Sequence, residues 1–115
     1  MIIVSKFSIL VISLVEYRYV GCFKDNGTDR AIPSLEGSCS ILDGNTWNRV
    51  DAIDKCHRCA ESKGFSMFAL QNGGECKGDH YPGTYDKHGE SEVCNDGKGG
   101  AWANDVYVMR HETGR

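Results

Sequence analysis

Short apolar stretches alternate along the chain with long polar, glycine-rich ones, and each apolar stretch carries its own period. Residues 17–23, YRYVGCF, are aromatic and β-branched and predict a first strand. Asn26-Gly27 marks the turn after it. Residues 31–45 are irregular, punctuated by Pro33, Gly37 and Gly44. Trp47, Val50, Ile53, Cys56 and Ala60 then recur at spacings of three and four, which predicts the apolar face of a helix. Asn45, Thr46 or Asn48 would cap its start. Asp51 and Asp54 fall early and Lys55, His57, Arg58 and Lys63 late, which complements the helix dipole, and Gly64 is a natural C-terminal cap. Residues 65–71, FSMFALQ, read as a central strand buried on both faces and closed by the turn Asn72-Gly73-Gly74. A glycine-rich excursion over residues 77–104 shows little periodicity; Cys76 and Cys94 bracket most of it. Residues 105–109, DVYVM, alternate and predict a last strand, and 111–115 form a polar tail.

Residues 1–15 carry one charge, Lys6, and an apolar run over 7–15. That run falls short of the ~20 residues of a membrane-spanning helix and fits a secretory signal. The competing reading makes it a strand of a longer chain. The domain proper is expected over residues 17–110.

Six cysteines, Cys22, Cys39, Cys56, Cys59, Cys76 and Cys94, favour secretion over that alternative. An even count in a chain of 115 residues, too small for a large core, suits an oxidising compartment and disulfide staples. The residues alone leave many pairings open. Cys56-His57-Arg58-Cys59 has redox or zinc spacing, but it lies inside the predicted helix and no second such pair exists, so structural disulfides are favoured. No metal or other cofactor is expected. A net charge of −3 argues against nucleic acid and a polybasic membrane contact as partners. With secretion, Asn26-Gly27-Thr28 becomes a usable N-glycosylation sequon.

No nucleophile–base pair or phosphate loop is present, so no enzyme is expected. Asp79, Asp86, Glu90, Glu92, Asp96 and Asp105 match no calcium loop and read as solvated surface acids. The aromatic residues of the excursion give a better lead. Tyr81, Tyr85 and Trp102 lie in polar surroundings near Asp79, His80, Asn95 and Asn104. Aromatic faces beside amides and carboxylates suit sugar rings. Core packing is the competing reading, weightier for Trp102 than for the tyrosines.

YVGCF, AIDKCHRCAESKGF, FALQNGGECKGD and CNDGKGGAWANDVYV together resemble a WSC domain of the animal extracellular branch over residues 17–109. The resemblance implies an α+β fold, a small disulfide-rich single domain whose antiparallel sheet is crossed by one α-helix, similar to the PAN/apple type. It also implies a secreted or cell-surface setting, carbohydrate binding and no catalysis. WSC domains commonly have more cysteines than the six here. Cys22, Cys56, Cys76 and Cys94 fall at the positions of a four-cysteine core, and Cys39 and Cys59 are additional. The implied pairing is Cys22–Cys94, Cys56–Cys76 and Cys39–Cys59. The expected function is a secreted module binding a glycan, with a matrix or cell-surface ligand as partner and Asp79, His80, Tyr81, Tyr85, Asn95, Trp102 and Asn104 as its contact residues. The alternatives are an extracellular protein-interaction module without a sugar site and a secreted toxin or defence protein.

Overall fold

The computed structural model describes residues 16–110; the expected leader over 1–15 and the tail over 111–115 lie outside it. The fold is α+β, with one helix and a four-stranded antiparallel sheet. The strands are β1 (Glu16–Lys24), β2 (Met67–Gln71), β3 (Glu75–Asp79) and β4 (Ala103–Arg110), in the spatial order β1-β4-β2-β3. The helix α1 covers Ala52–Ser62, and a single 3-10 turn covers Ser40–Leu42.

Strand β4, the last of the described strands, is therefore interior. Its first seven residues are all buried, whereas alternation was expected. Being paired on both edges and covered on both faces leaves no wet side. β2 is buried throughout, as expected of a central strand. The expected turn Asn72-Gly73-Gly74 joins β2 to β3, with Gln71 opposite Glu75.

Two apolar clusters sandwich the sheet. Phe68, Leu70, Tyr107 and Met109 face α1, where Ala52, Cys56, Cys59 and Ala60 meet them. Phe23, Met67, Ala69 and Val106 face the other way, covered by Ala31, Ile32 and Tyr85 from loops. On β3, Lys77 takes a fully buried position beside this second layer. Its ammonium reaches Glu75 at 3.2 Å and Asp25 at 4.0 Å. Asp25 also accepts hydrogen bonds from Arg30 and from the Ala31 N–H, both at 2.8 Å. Buried charges of this kind persist only when paired.

The helix begins later than the spacing suggested. Asn48 and Asp51 both adopt left-handed backbone, so Trp47 and Val50 precede the helix and lie exposed. Asp51 is the capping position but makes no side-chain cap bond; Asn45, Thr46 and Asn48 do not cap. At the other end, Gly64 closes the helix as expected. Phe65 N–H donates to the Ala60 carbonyl and Gly64 N–H to that of Glu61, which is the Schellman pattern.

Three disulfides join Cys22 to Cys94, Cys39 to Cys59 and Cys56 to Cys76, the pairing implied above, and no described cysteine is free. Cys56–Cys76 ties the helix to β3, and Cys22–Cys94 ties the late excursion to edge strand β1. Among the described residues, no helix is long and apolar enough to cross a membrane.

Candidate functional site

The residues expected to form one binding surface fall in three places. Asp79, His80, Tyr81 and Tyr85 follow the end of β3, where Asp79 stands opposite Met67. There the Asp79 carboxylate accepts the His80 N–H at 2.8 Å, and the His80 ring meets Phe65 edge-on at 5.2 Å. Tyr81 and Tyr85 stack on each other at 5.7 Å, and Tyr85 packs edge-on against Phe23 at 4.9 Å. Burial, then the hydrogen bond with Tyr81, raise the Tyr85 pKa above the ordinary phenol value. Tyr85 thus belongs largely to the second core layer, and the pair offers a modest aromatic face.

Trp102 and Asn104 lie at the opposite end of the sheet, where Asn104 stands between Phe23 and Gln71. Trp102 is 57% exposed, so it is not a core residue. Asn104 is a correction: it is fully buried and cannot present its amide at a surface. Asp105 is another. It is buried, not solvated, and its carboxylate accepts the Tyr19 hydroxyl at 2.6 Å and the Gly99 N–H at 2.8 Å.

Asn95 alone of the expected residues joins a built groove. This open groove, of about 400 Å³, is lined by Trp47, Asn48, Asn72, Asn95, Asp96 and Lys98 together with Val93 and three glycines. Three loops form it: residues 45–50 ahead of α1, the β2–β3 turn, and residues 93–100. Their backbones touch directly. Gly73 N–H donates to the Lys98 carbonyl at 2.9 Å and Asn72 N–H to that of Gly100 at 3.3 Å. A Cβ at Gly74 would strike the Thr46 carbonyl oxygen, and one at Gly99 the Leu70 carbonyl oxygen, so only glycine fits at either position.

Asn48, Asn72 and Asp96 hold φ values of 56°, 54° and 56°. Asparagine and aspartate tolerate this region better than other side chains, yet three such residues around one groove form a concentration of the kind found at ligand sites. Their side-chain amides and carboxylate make no hydrogen bond within the described residues, and Trp47 is 61% exposed. The groove therefore offers one aromatic face, three amides, one carboxylate and one ammonium.

Beneath it sits Arg49, 6% exposed. Its guanidinium binds both oxygens of Glu36 at 2.8 Å and the carbonyls of Gly74 and Leu42 at 2.7 and 2.6 Å. The Glu36 carboxylate also accepts the Cys76 N–H at 2.7 Å.

A second hollow, of about 430 Å³, shares Asp96 and is lined by Tyr19, Glu92, Asp105, Tyr107 and the Cys22–Cys94 disulfide. Cys22, Cys94 and Asp105 bring ligand-type atoms together there, but both sulfurs are consumed in the disulfide and Asp105 is already hydrogen-bonded. They do not make a metal site.

The sequence reading missed Trp47, Asn48, Asn72, Asp96 and Lys98. The available signal was the Asn and Asp residues beside glycines at positions that turn the chain, together with a tryptophan set among asparagines. No model of a known protein family matches the chain, and no curated protein matches it significantly.

Proposed function

We propose that this protein is an extracellular recognition module that binds a neutral glycan in the groove headed by Trp47. The observation that carries the reading is an exposed indole set among three uncommitted amides and a carboxylate on fixed backbone. A sugar ring stacks its C–H face on an indole while its hydroxyls exchange hydrogen bonds with amides and carboxylates. One carboxylate, Asp96, and one ammonium, Lys98, leave the groove without a dominant charge, which favours a neutral polyhydroxy ligand over a polyanion. The three disulfides are consistent with extracellular life, and the resemblance to WSC domains points to the same ligand class. A shallow site on one small domain gives weak binding, strengthened by repeated epitopes on a polymer.

The test is retention on a panel of insoluble neutral polysaccharides. Trp47→Ala should weaken retention by about tenfold, the equivalent of ~1.4 kcal/mol. Asn95→Ala should weaken it less, and Tyr81→Ala should leave it unchanged. A panel without retention above background, or equal retention by wild type and Trp47→Ala, overturns the proposal. Val93, which lines the groove with Trp47, and Val50, three residues after Trp47 in the chain, are both exposed and favour a second reading as a protein-docking surface. It predicts that Val50→Asp abolishes capture of a protein partner and spares polysaccharide retention.

A further inference from the structure

Residues 26–28 read as a sequon, and in the fold all three lie exposed on the loop after β1. The Asn26 side-chain oxygen accepts two bonds from Thr28, from its N–H and from its hydroxyl, each at 2.9 Å. The carbonyl end of the amide is thus committed to its own turn. The amide nitrogen, the atom that takes a sugar, stands on an exposed residue.

Trp102 lies against the same turn. Its carbonyl accepts the Asp25 N–H at 2.9 Å. The edge of its six-membered ring lies beside Gly27, where a Cβ would come within 2.9 Å of it. The Arg30 guanidinium stands 5.8 Å from the indole centroid. Trp102 also has a φ of 52°. An exposed, bulky aromatic in left-handed backbone is an outlier that stability alone does not favour, and such outliers point to function. The transferase that reads a sequon accepts any middle residue but proline. Glycine at 27 leaves room for the indole, which a Cβ there would push away.

We propose that Asn26 carries an N-linked oligosaccharide and that Trp102 is the platform for its first sugars. The proposal rests on the extracellular reading above. In the transfer, the Asn26 amide nitrogen attacks C1 of the sugar on a lipid-pyrophosphate donor. A C1–N bond forms, the C1–O bond to the pyrophosphate breaks, and the amide proton passes to a base of the host transferase. Once attached, the proximal sugars lie beside the indole, with Arg30 and the loop backbone as hydrogen-bonding neighbours.

The full chain is secreted from a eukaryotic host behind an added cleavable signal, so that entry does not depend on residues 1–15. Intact mass and amidase deglycosylation then read occupancy. The expected result is a glycan mass that the amidase removes, leaving aspartate at 26, and that Asn26→Gln and Thr28→Ala both lack. Deglycosylation should lower the melting temperature of the wild type by several degrees and leave Trp102→Ala unchanged. Gly27→Ala keeps the sequon but displaces the ring; it should be occupied and likewise lose the thermal increment. A bare sequon in secreted, fully disulfide-bonded protein overturns the proposal. So does an equal thermal loss in wild type and in both variants. Polysaccharide retention through Trp47 is read separately, so failure of the groove and failure of this site are distinguishable.

Discussion

Replacing Arg49 with alanine should loosen the groove from beneath without touching any residue that lines it with a free side chain. The guanidinium ties together Glu36, the Leu42 carbonyl and the Gly74 carbonyl, and its own chain neighbour is Asn48. Glu36 in turn holds the Cys76 N–H. Removing one partner of a buried ion pair costs ~3–5 kcal/mol, because the other charge is left uncompensated. Each buried carbonyl left unpaired adds ~1–3 kcal/mol, but relaxation overlaps these costs, so a total of about 3–5 kcal/mol is expected. For a domain this small, each kcal/mol shifts the melting temperature by ~4–8 °C, so a fall of about 12 °C or more should follow. Arg49→Lys should recover only part, because an ammonium cannot reproduce the fork across four acceptors. Urea unfolding without reductant measures the loss, and polysaccharide retention measured well below the lowered midpoint should fall with it. The Glu36 carboxyl supplies a pH arm. Burial is the largest influence and raises its pKa, but the bonds from Arg49 and the Cys76 N–H, with the charges of Arg49 and Lys77, hold it below the ordinary 4.5. Its stabilisation is therefore complete above that value and is lost as pH falls through the lower folded-state pKa, a slope that Arg49→Ala should flatten. A loss under about 1 kcal/mol, the range of exposed ion pairs, would refute the reasoning, as would full rescue by lysine.

Alkaline unfolding should depend on Tyr19. The residue is half exposed, but its hydroxyl donates to buried Asp105, and burial, that bond and the Asp105 charge push its pKa up to about 12. The unfolded phenol ionises near 10, so stability should be full below that pH and fall as pH rises towards 12, a slope Tyr19→Phe should reduce. The tyrosinate absorbance of the wild type should show the late-ionising group. Among the disulfides, the chain-entropy relation assigns ~4 kcal/mol to the 72-residue separation of Cys22–Cys94 and ~3 kcal/mol to the 20-residue separation of Cys39–Cys59. Cys22→Ala with Cys94→Ala should therefore destabilise more and also weaken polysaccharide retention, since Cys94 anchors the 93–100 loop. Cys39→Ala with Cys59→Ala should leave retention intact in chemical denaturation-matched conditions.

Where the sequence was legible, local chemistry and global packing agreed. Residues 17–23 and 65–71 are rich in aromatic or apolar side chains, and both became strands. β3 was missed because Glu75–Asp79, ECKGD, has no β-branched or aromatic residue. It is a strand because its neighbours make it one: Lys77 is buried there only through Glu75 and Asp25, the latter distant in sequence. The helix start was misplaced because Trp47 and Val50 satisfy the helical spacing, while the left-handed turns at Asn48 and Asp51 leave no trace in a hydrophobic pattern. The expected contact residues were gathered by nearness in sequence, and the fold separated them: 79–85 and 102–104 end at opposite ends of the sheet. The groove brings together residues from 47 to 100, which no local window spans.

That the groove is made of backbone explains which of its residues can change. Gly74 and Gly99 let three loops stack main chain on main chain, and Asp105 fixes the Gly99 N–H from below. Arg49 and the Cys56–Cys76 and Cys22–Cys94 disulfides hold the loops at their roots. Little of this depends on the side chains that line the groove. Trp47, Asn95 and Lys98 do not have left-handed backbone and could be exchanged to suit another ligand with little cost to the fold. Asn48, Asn72 and Asp96 do, so exchange there is confined to asparagine, aspartate and glycine without strain. Specificity in such a site would therefore shift mainly through the aromatic platform and the 95–98 rim, over a nearly constant set of amide and carboxylate partners.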